Sequence, residues 1–173
     1  MKEPTQIDWA RLAAFIDGEG AILLNRFKPQ KERGACRKRM WLRIAITNCD
    51  ERLICWLKET FGGSIALEKR SHVPNQTDCY RWYASCRLAG HVLRGCLPYF
   101  IVKREQAVLG LEFQKTIGTP GVNTTEEVHD LREQLRAKLH ELKSRKKANF
   151  DPSVEAFIPA MKRGSKPKQE IVQ

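Results

Sequence analysis

The period of the apolar positions changes several times along the chain, and each change marks an element. From Ile7 to Phe15 the residues Trp9, Leu12, Ala13, Phe15 and Ile16 recur at helical spacing, with Asp8 placed near the start as a cap and Gly18 and Gly20 as stops. AILLNRF then reads as a strand, and a loop rich in Lys, Arg, Pro and Gly (Lys28 to Lys38, including Arg37) leads to a second strand. Here the period is two: Met40, Leu42, Ile44 and Ile46 fall on one face, and Arg39, Trp41, Arg43 and Ala45 on the other. Asp50 to Phe61 carries a helical stripe of Leu53, Ile54, Leu57 and Phe61, stopped by Gly62 and Gly63. Ser64 to Arg70 and Cys79 to Cys86 read as two more strands joined by the polar loop SHVPNQTD. Leu88 to Pro98, Arg104 to Ile117 and Glu126 to Ala148 read as helices, with Thr125 as a cap for the last of them.

The order helix, two strands, helix, two strands, helices predicts an α+β domain with a four-stranded antiparallel sheet, one face of which packs on helices. The other face carries Arg39, Arg43, Arg70 and Arg81, which makes it either a charged solvent surface or a platform for a polyanion. Trp41 and Tyr83 among the arginines favour the platform, because such rings are rarely left in water without a partner. A single domain is expected over residues 1–163, with a basic, polar tail over 164–173.

Composition sharpens this picture. Thirty-one Lys+Arg against 20 Asp+Glu leave a formal charge of +11, which points to nucleic acid or an acidic membrane as partner. No stretch reaches the roughly eighteen uninterrupted apolar residues of a membrane span. MKEPTQIDW lacks the apolar core of a signal peptide, so a soluble, intracellular protein with no membrane partner is expected. Cys36, Cys49, Cys55, Cys79, Cys86 and Cys96 contain no CxxC pair and no zinc-finger spacing to His; reduced thiols used as small core residues are the expectation.

One segment carries a more specific signal. LAAFIDGEG, residues Leu12 to Gly20, resembles the signature of the LAGLIDADG homing endonucleases, with Ala14 and Glu19 as the visible substitutions. TNCDERLICWLKETFGGSI is similar to that family's stretch from second strand through middle helix to third strand, CYRWYAS to its fourth strand, and LPYFIVKREQA to its Pro-aromatic segment. The segments follow in the family's order from Ile7 to Lys115. The resemblance implies an αββαββα domain whose four-stranded antiparallel sheet is saddle-shaped, followed by C-terminal helices. It also implies an activity: metal-dependent hydrolysis of both strands of a long, nearly palindromic DNA site, with no small-molecule substrate. Only one copy of the motif is present, which implies a homodimer paired across the first helix, through Trp9, Leu12, Ala13, Ala14, Ile16 and Asp17.

The chemistry of the motif agrees. An acidic side chain at a helix C-terminus is opposed by the local dipole and calls for a compensating cation. Hard oxygen ligands suit Mg²⁺; by the resemblance the Glu19 carboxylate and the Gly18 carbonyl hold it, with Mn²⁺ able to substitute and Ca²⁺ expected to support binding without cleavage. By the resemblance, Lys103 supports transition-state charge, Asn48 holds a metal-bound water by hydrogen bond and Arg52 reaches the phosphate.

For DNA reading, the phase set by Arg39, Trp41 and Arg43 adds Arg70, Arg81 and Tyr83. The first strand stays open: counting from Glu19 puts Asn25 and Phe27 on the outer face, whereas Arg26 and Lys28 carry the better chemistry. The run Lys143, Arg145, Lys146 and Lys147 either holds phosphates or offsets a helix dipole. The competing functions are a non-cleaving DNA-binding regulator and an intron-splicing RNA maturase on the same scaffold. A basic structural protein would explain the charge but not the motif with its companion segments.

Overall fold

The computed structural model describes residues 3–27, 39–69, 77–118 and 124–144. Helix α1 spans Gln6–Gly18 and opens on a capping box: the Thr5 hydroxyl accepts the Asp8 amide at 3.2 Å while the Asp8 carboxylate accepts the Thr5 amide at 2.9 Å. Asp8 is therefore the reciprocal partner inside the first turn, and Thr5 is the cap. Strands β1 (Gly20–Arg26) and β2 (Met40–Asn48) follow, then α2 (Glu51–Phe61), β3 (Ser64–Glu68) and β4 (Cys79–Ser85). Helix α3 (Arg87–Cys96), a 3-10 turn at Leu97–Tyr99, α4 (Arg104–Lys115) and α5 (Glu126–Ser144) complete the described chain. The expected order of elements is thus observed. By its contacts the chain divides into Met1–Lys143 and Ser144–Gln173, and all but the last residue of these elements lies in the first unit. The expected domain end at 163 and the tail lie outside the described residues.

The sheet is antiparallel throughout, in the order β1-β2-β4-β3. Alternation in β1, β2 and β4 sends Ile22, Leu24, Met40, Leu42, Ile44, Ile46, Trp82 and Ala84 to the helical side, where they are buried with Leu12, Ala13 and Ile16 of α1, Val92 and Leu93 of α3, and Ala107 and Phe113 of α4. Burying the long aliphatic side chains stabilises the domain by about 1.5–3 kcal/mol each. Helix α5 is tied on by Arg132, whose guanidinium donates to the Thr116 hydroxyl at 2.9 Å and the Thr116 carbonyl at 2.6 Å at the end of α4.

Three glycines are dictated by local geometry, one by close approach and two by positive φ. A Cβ on Gly20 would lie 2.6 Å from the Ile16 Cα, so only glycine lets β1 leave directly from the last turn of α1. Gly62 and Gly63 have φ of 74° and 87°, which ends α2 sharply and turns the chain into β3. The Gly62 carbonyl then accepts the buried Trp82 indole N–H at 2.7 Å.

The packing of α1 corrects one expectation. Leu12, Ala13 and Ile16 are fully buried in the protomer's own core, Trp9 packs tilted against Phe61 and edge-on to His91, and Asp17 is turned towards residues 101–103. Of the residues expected to face a second chain, only Ala14 is exposed. The face that α1 presents outwards is Ile7, Arg11, Ala14 and Gly18, and beside its C-terminal end Ile101 and Val102 are 88% and 71% exposed. The thiols also divide: Cys79 and Cys96 are buried as expected, but Cys49, Cys55 and Cys86 are exposed; Cys36 is outside the described residues. No described helix is long and apolar enough to cross a membrane.

Candidate nuclease centre and nucleic-acid face

Glu19 is the C-cap of α1, with its backbone N–H bonded to the Phe15 carbonyl at 2.9 Å. Because Gly20 opposes Ile46 in the sheet, Glu19 lies beside the end of β2. There the Asn48 side-chain amide donates to Glu19 Oε2 at 2.9 Å, while Asn48 Oδ1 accepts the Asp50 N–H at 2.8 Å. One amide side chain thus joins the exposed carboxylate to the start of α2, and it leaves Glu19 Oε1 and the Gly18 backbone as neighbouring oxygen donors.

Lys103 closes the other side. Its ammonium donates to the carbonyls of Ile16, Asp17 and Gly20 at 2.6, 2.8 and 2.8 Å; the Gly18 carbonyl is not among them. In return the Asp17 carboxylate accepts the backbone N–H groups of Ile101, Val102 and Lys103 at 2.8, 3.2 and 2.8 Å. Burial pushes the Lys103 pKa below the usual lysine value, and the Asp17 charge opposes that shift. The ammonium is committed to the helix end, so Lys103 positions Glu19 and lends the centre a positive charge without itself reaching outwards. Desolvation, and after it the charge of Lys103, also lowers the Lys143 pKa.

Arg52 is exposed and forms a fork with Asp50, the N-cap of α2, through contacts of 3.0 Å and 2.5 Å. That pairing holds the Asp50 carboxyl at a pKa of about 2, the side-chain bond from Arg52 being the largest cause. An exposed pair of this kind contributes little to stability and can be opened by a competing phosphate. Cys49, Asp50, Glu51, Arg52 and Tyr80 line an open depression here. Glu19, Asn48 and Arg52 are therefore joined, through Asp50, by a chain of hydrogen bonds at one end of the sheet, and Lys103 bonds backbone carbonyls on either side of Glu19. No group of three or more His, Cys, Asp or Glu able to hold a metal is present among the described residues.

The sheet face away from the helices carries Asn25 from β1, Trp41, Arg43 and Thr47 from β2, Arg81, Tyr83 and Ser85 from β4, with exposed Arg39 just before β2. Arg43 lies 4.8 Å from the Tyr83 ring and 5.8 Å from the Trp41 ring, and donates to the Ser85 hydroxyl at 3.3 Å. Arg81 donates to the Thr47 hydroxyl at 2.9 Å and pairs with Glu68. Register settles the open choice in β1. Arg26 shares the parity of Ile22 and Leu24, and it pairs with Glu133 of α5 at 3.5 Å, so it does not belong to the outer face. Lys28, Arg37, Arg70, Arg145, Lys146 and Lys147 lie outside the described residues. Thr47 and Ser85 were not singled out in the sequence, although the period-two pattern that marks Arg43 and Tyr83 reaches both.

No protein-family model and no curated protein matches the chain. Solved structures do. The homing endonuclease I-CvuI in complex with its target in the presence of calcium superposes with a TM-score of 0.65 at 20% identity, over 88% of this chain and 92% of that one. The chain has the LAGLIDADG homing endonuclease fold. The archaeal intron-encoded homing endonuclease I-Vdi141I complexed with DNA is similar over 86% of this chain and 91% of that one, with a TM-score of 0.63 at 18% identity. I-SmaMI, bound to an uncleaved DNA target with calcium ions, matches 90% of this chain but has only 49% of its own length covered, with a TM-score of 0.51 at 18% identity. The fold thus occurs at this chain's size and inside chains about twice as long.

The Asp50–Arg52 fork can be read directly. By NMR titration Asp50 should titrate near 2, and Arg52→Gln should return it towards the ordinary value of 3.8. Because the folded pKa is depressed, the cap's added strength is present above pH 3.8 and is lost as pH falls through about 2.

Proposed function

We propose that the chain is a site-specific DNA endonuclease that acts as a homodimer and cuts both strands of a near-palindromic site with the help of Mg²⁺. The observation that carries this reading is the exposed Glu19 carboxylate, held by Asn48 at the edge of a cationic, aromatic sheet face. A net charge of +11 and an outer face rich in Arg, Trp and Tyr suit the phosphates and base edges of a duplex.

The donor set fits magnesium in one particular way. One carboxylate and one backbone carbonyl make no closed protein cage, but Mg²⁺ characteristically binds through one or two carboxylates with substrate phosphates and waters completing its shell. When bound, such a cation neutralises charge at the scissile phosphate and makes water a nucleophile near neutral pH. Glu19 and the Gly18 carbonyl would hold it. Asn48 fixes the rotamer of Glu19, the Asp17–Lys103 pairing fixes the helix end on which both ligands sit, and Arg52 can swing from Asp50 to a phosphate oxygen. Hydrolysis then breaks one P–O bond, with water adding to phosphorus.

The outward face of α1, with Ile7, Ala14 and Gly18 beside Arg11, and the exposed Ile101 and Val102 offer a mainly apolar surface that suits pairing with a second copy. A Cβ on Gly18 would meet nothing within 4 Å, so the backbone there is open to close approach by another helix. Pairing would bring two Glu19 carboxylates together and set two reading faces about a two-fold axis, which calls for a target of matching symmetry.

Two experiments test this. Sedimentation should find the wild-type chain dimeric at micromolar concentration, and Ala14→Glu, which sets like charges across the axis, should weaken association by about a hundredfold or more. Ala13→Glu would place a carboxylate in the core and unfold the protomer instead. In the second experiment, Glu19→Gln should abolish cleavage in magnesium while a gel shift in calcium stays within about threefold of wild type. Undiminished cleavage by Glu19→Gln would remove the assignment of the centre.

A further inference from the structure

Beside the candidate centre, the antiparallel register of β2 and β4 sets two thiols opposite one another. Thr47 pairs with Arg81 and Asn48 with Tyr80, where β2 ends; continued one step past that end, the same register sets Cys49 opposite Cys79. The two sulfurs lie 2.6 Å apart. Opposed residues of an antiparallel pair have Cα atoms about 4.5–5.5 Å apart, within the span that a disulfide bridges without moving the backbone. Cys49 is exposed and Cys79 is buried beneath it, so a reagent in solvent meets one sulfur while the second waits behind. This arrangement differs from that of Cys55 and Cys86, which are also exposed but have no sulfur partner at this distance among the described residues.

We propose that Cys49 and Cys79 form a reversible intrachain disulfide when the chain meets a low-molecular-weight disulfide of the glutathione class. The Cys49 thiolate attacks one sulfur of the reagent. A mixed disulfide bond forms, the reagent's own S–S bond breaks, and one small thiol leaves. The Cys79 thiolate then attacks the Cys49 sulfur, closing the protein disulfide and expelling the second small thiol. The protein loses two protons and two electrons, and both appear on the two reduced small thiols. The bridge would enclose α2 and β3, and it would pin the turn in which Asn48 holds Glu19 and Asp50 caps α2. It is a modification site whose chemistry does not depend on whether the chain cleaves DNA.

The test uses the purified full chain, incubated with oxidised glutathione, alkylated, digested without reduction and mapped by mass spectrometry. A Cys49–Cys79 linked peptide should be the main product and should vanish on treatment with dithiothreitol. The oxidised chain should melt higher by on the order of 5 °C. Cys49→Ser, an exposed and nearly isosteric change, should show neither the linkage nor the shift, and Cys55→Ser should keep both. The proposal is overturned if Cys49 carries glutathione while Cys79 is alkylated, if Cys49 links to a different cysteine, or if both thiols are recovered alkylated.

Discussion

The end of α1 carries carbonyls that need donors and a carboxylate that needs donors as well, and both needs are met by the same short segment before α4. Lys103 gives its three ammonium protons to Ile16, Asp17 and Gly20, and the backbone of residues 101–103 gives its amides to Asp17. A cation at a helix C-terminus is favoured by the dipole, and a carboxylate that receives several amides is strongly oriented. Gly20 adds a steric requirement, since the strand starts where any side chain would strike Ile16. Helix, strand and the segment leading into α4 therefore meet in a single arrangement, and Glu19 is carried on it. The Glu19–Asn48 bond and the junction with α2 depend on that placement.

The sheet serves two solvents at once. The buried part of its inner face is apolar, and its one large ring, Trp82, has its indole N–H satisfied by the Gly62 carbonyl. Its outer face keeps its charges ordered by weak pairings: Arg43 over two rings, Arg81 with Thr47 and Glu68. Such partly exposed contacts stabilise the fold by little, yet they hold guanidinium groups extended and in register. The same logic applies to Arg52, which Asp50 holds at the surface.

Most of the fold was legible in the sequence because the apolar period switches cleanly between 3.6 and 2, and glycines mark the switches. Glu19, Asn48, Arg52 and Lys103 were named from the resemblance, and the structure gathers them at one end of the sheet. The direction in which α1 faces was not legible. A helix with apolar residues on several sides offers no polar face from which to tell the core side from an outer one, and Leu12, Ala13 and Ile16 proved to be core while Ile7 and Ala14 face out. Nor could charge alone place Arg26, because an arginine at a strand end suits DNA and the acidic residue of a neighbouring helix equally well; Glu133 is such a neighbour. The commitment of Lys103 to three carbonyls was hidden for a different reason, since it depends on residues more than eighty positions apart.

DNA cleavage at symmetric sites, as proposed above, can be read from a randomised palindromic plasmid library incubated with the wild-type chain in magnesium. Linear products whose ends fall symmetrically about a common centre, and which disappear when magnesium is chelated, are the predicted result. A folded chain that shifts the same DNA in calcium but leaves every supercoiled member neither nicked nor linear in magnesium would contradict it.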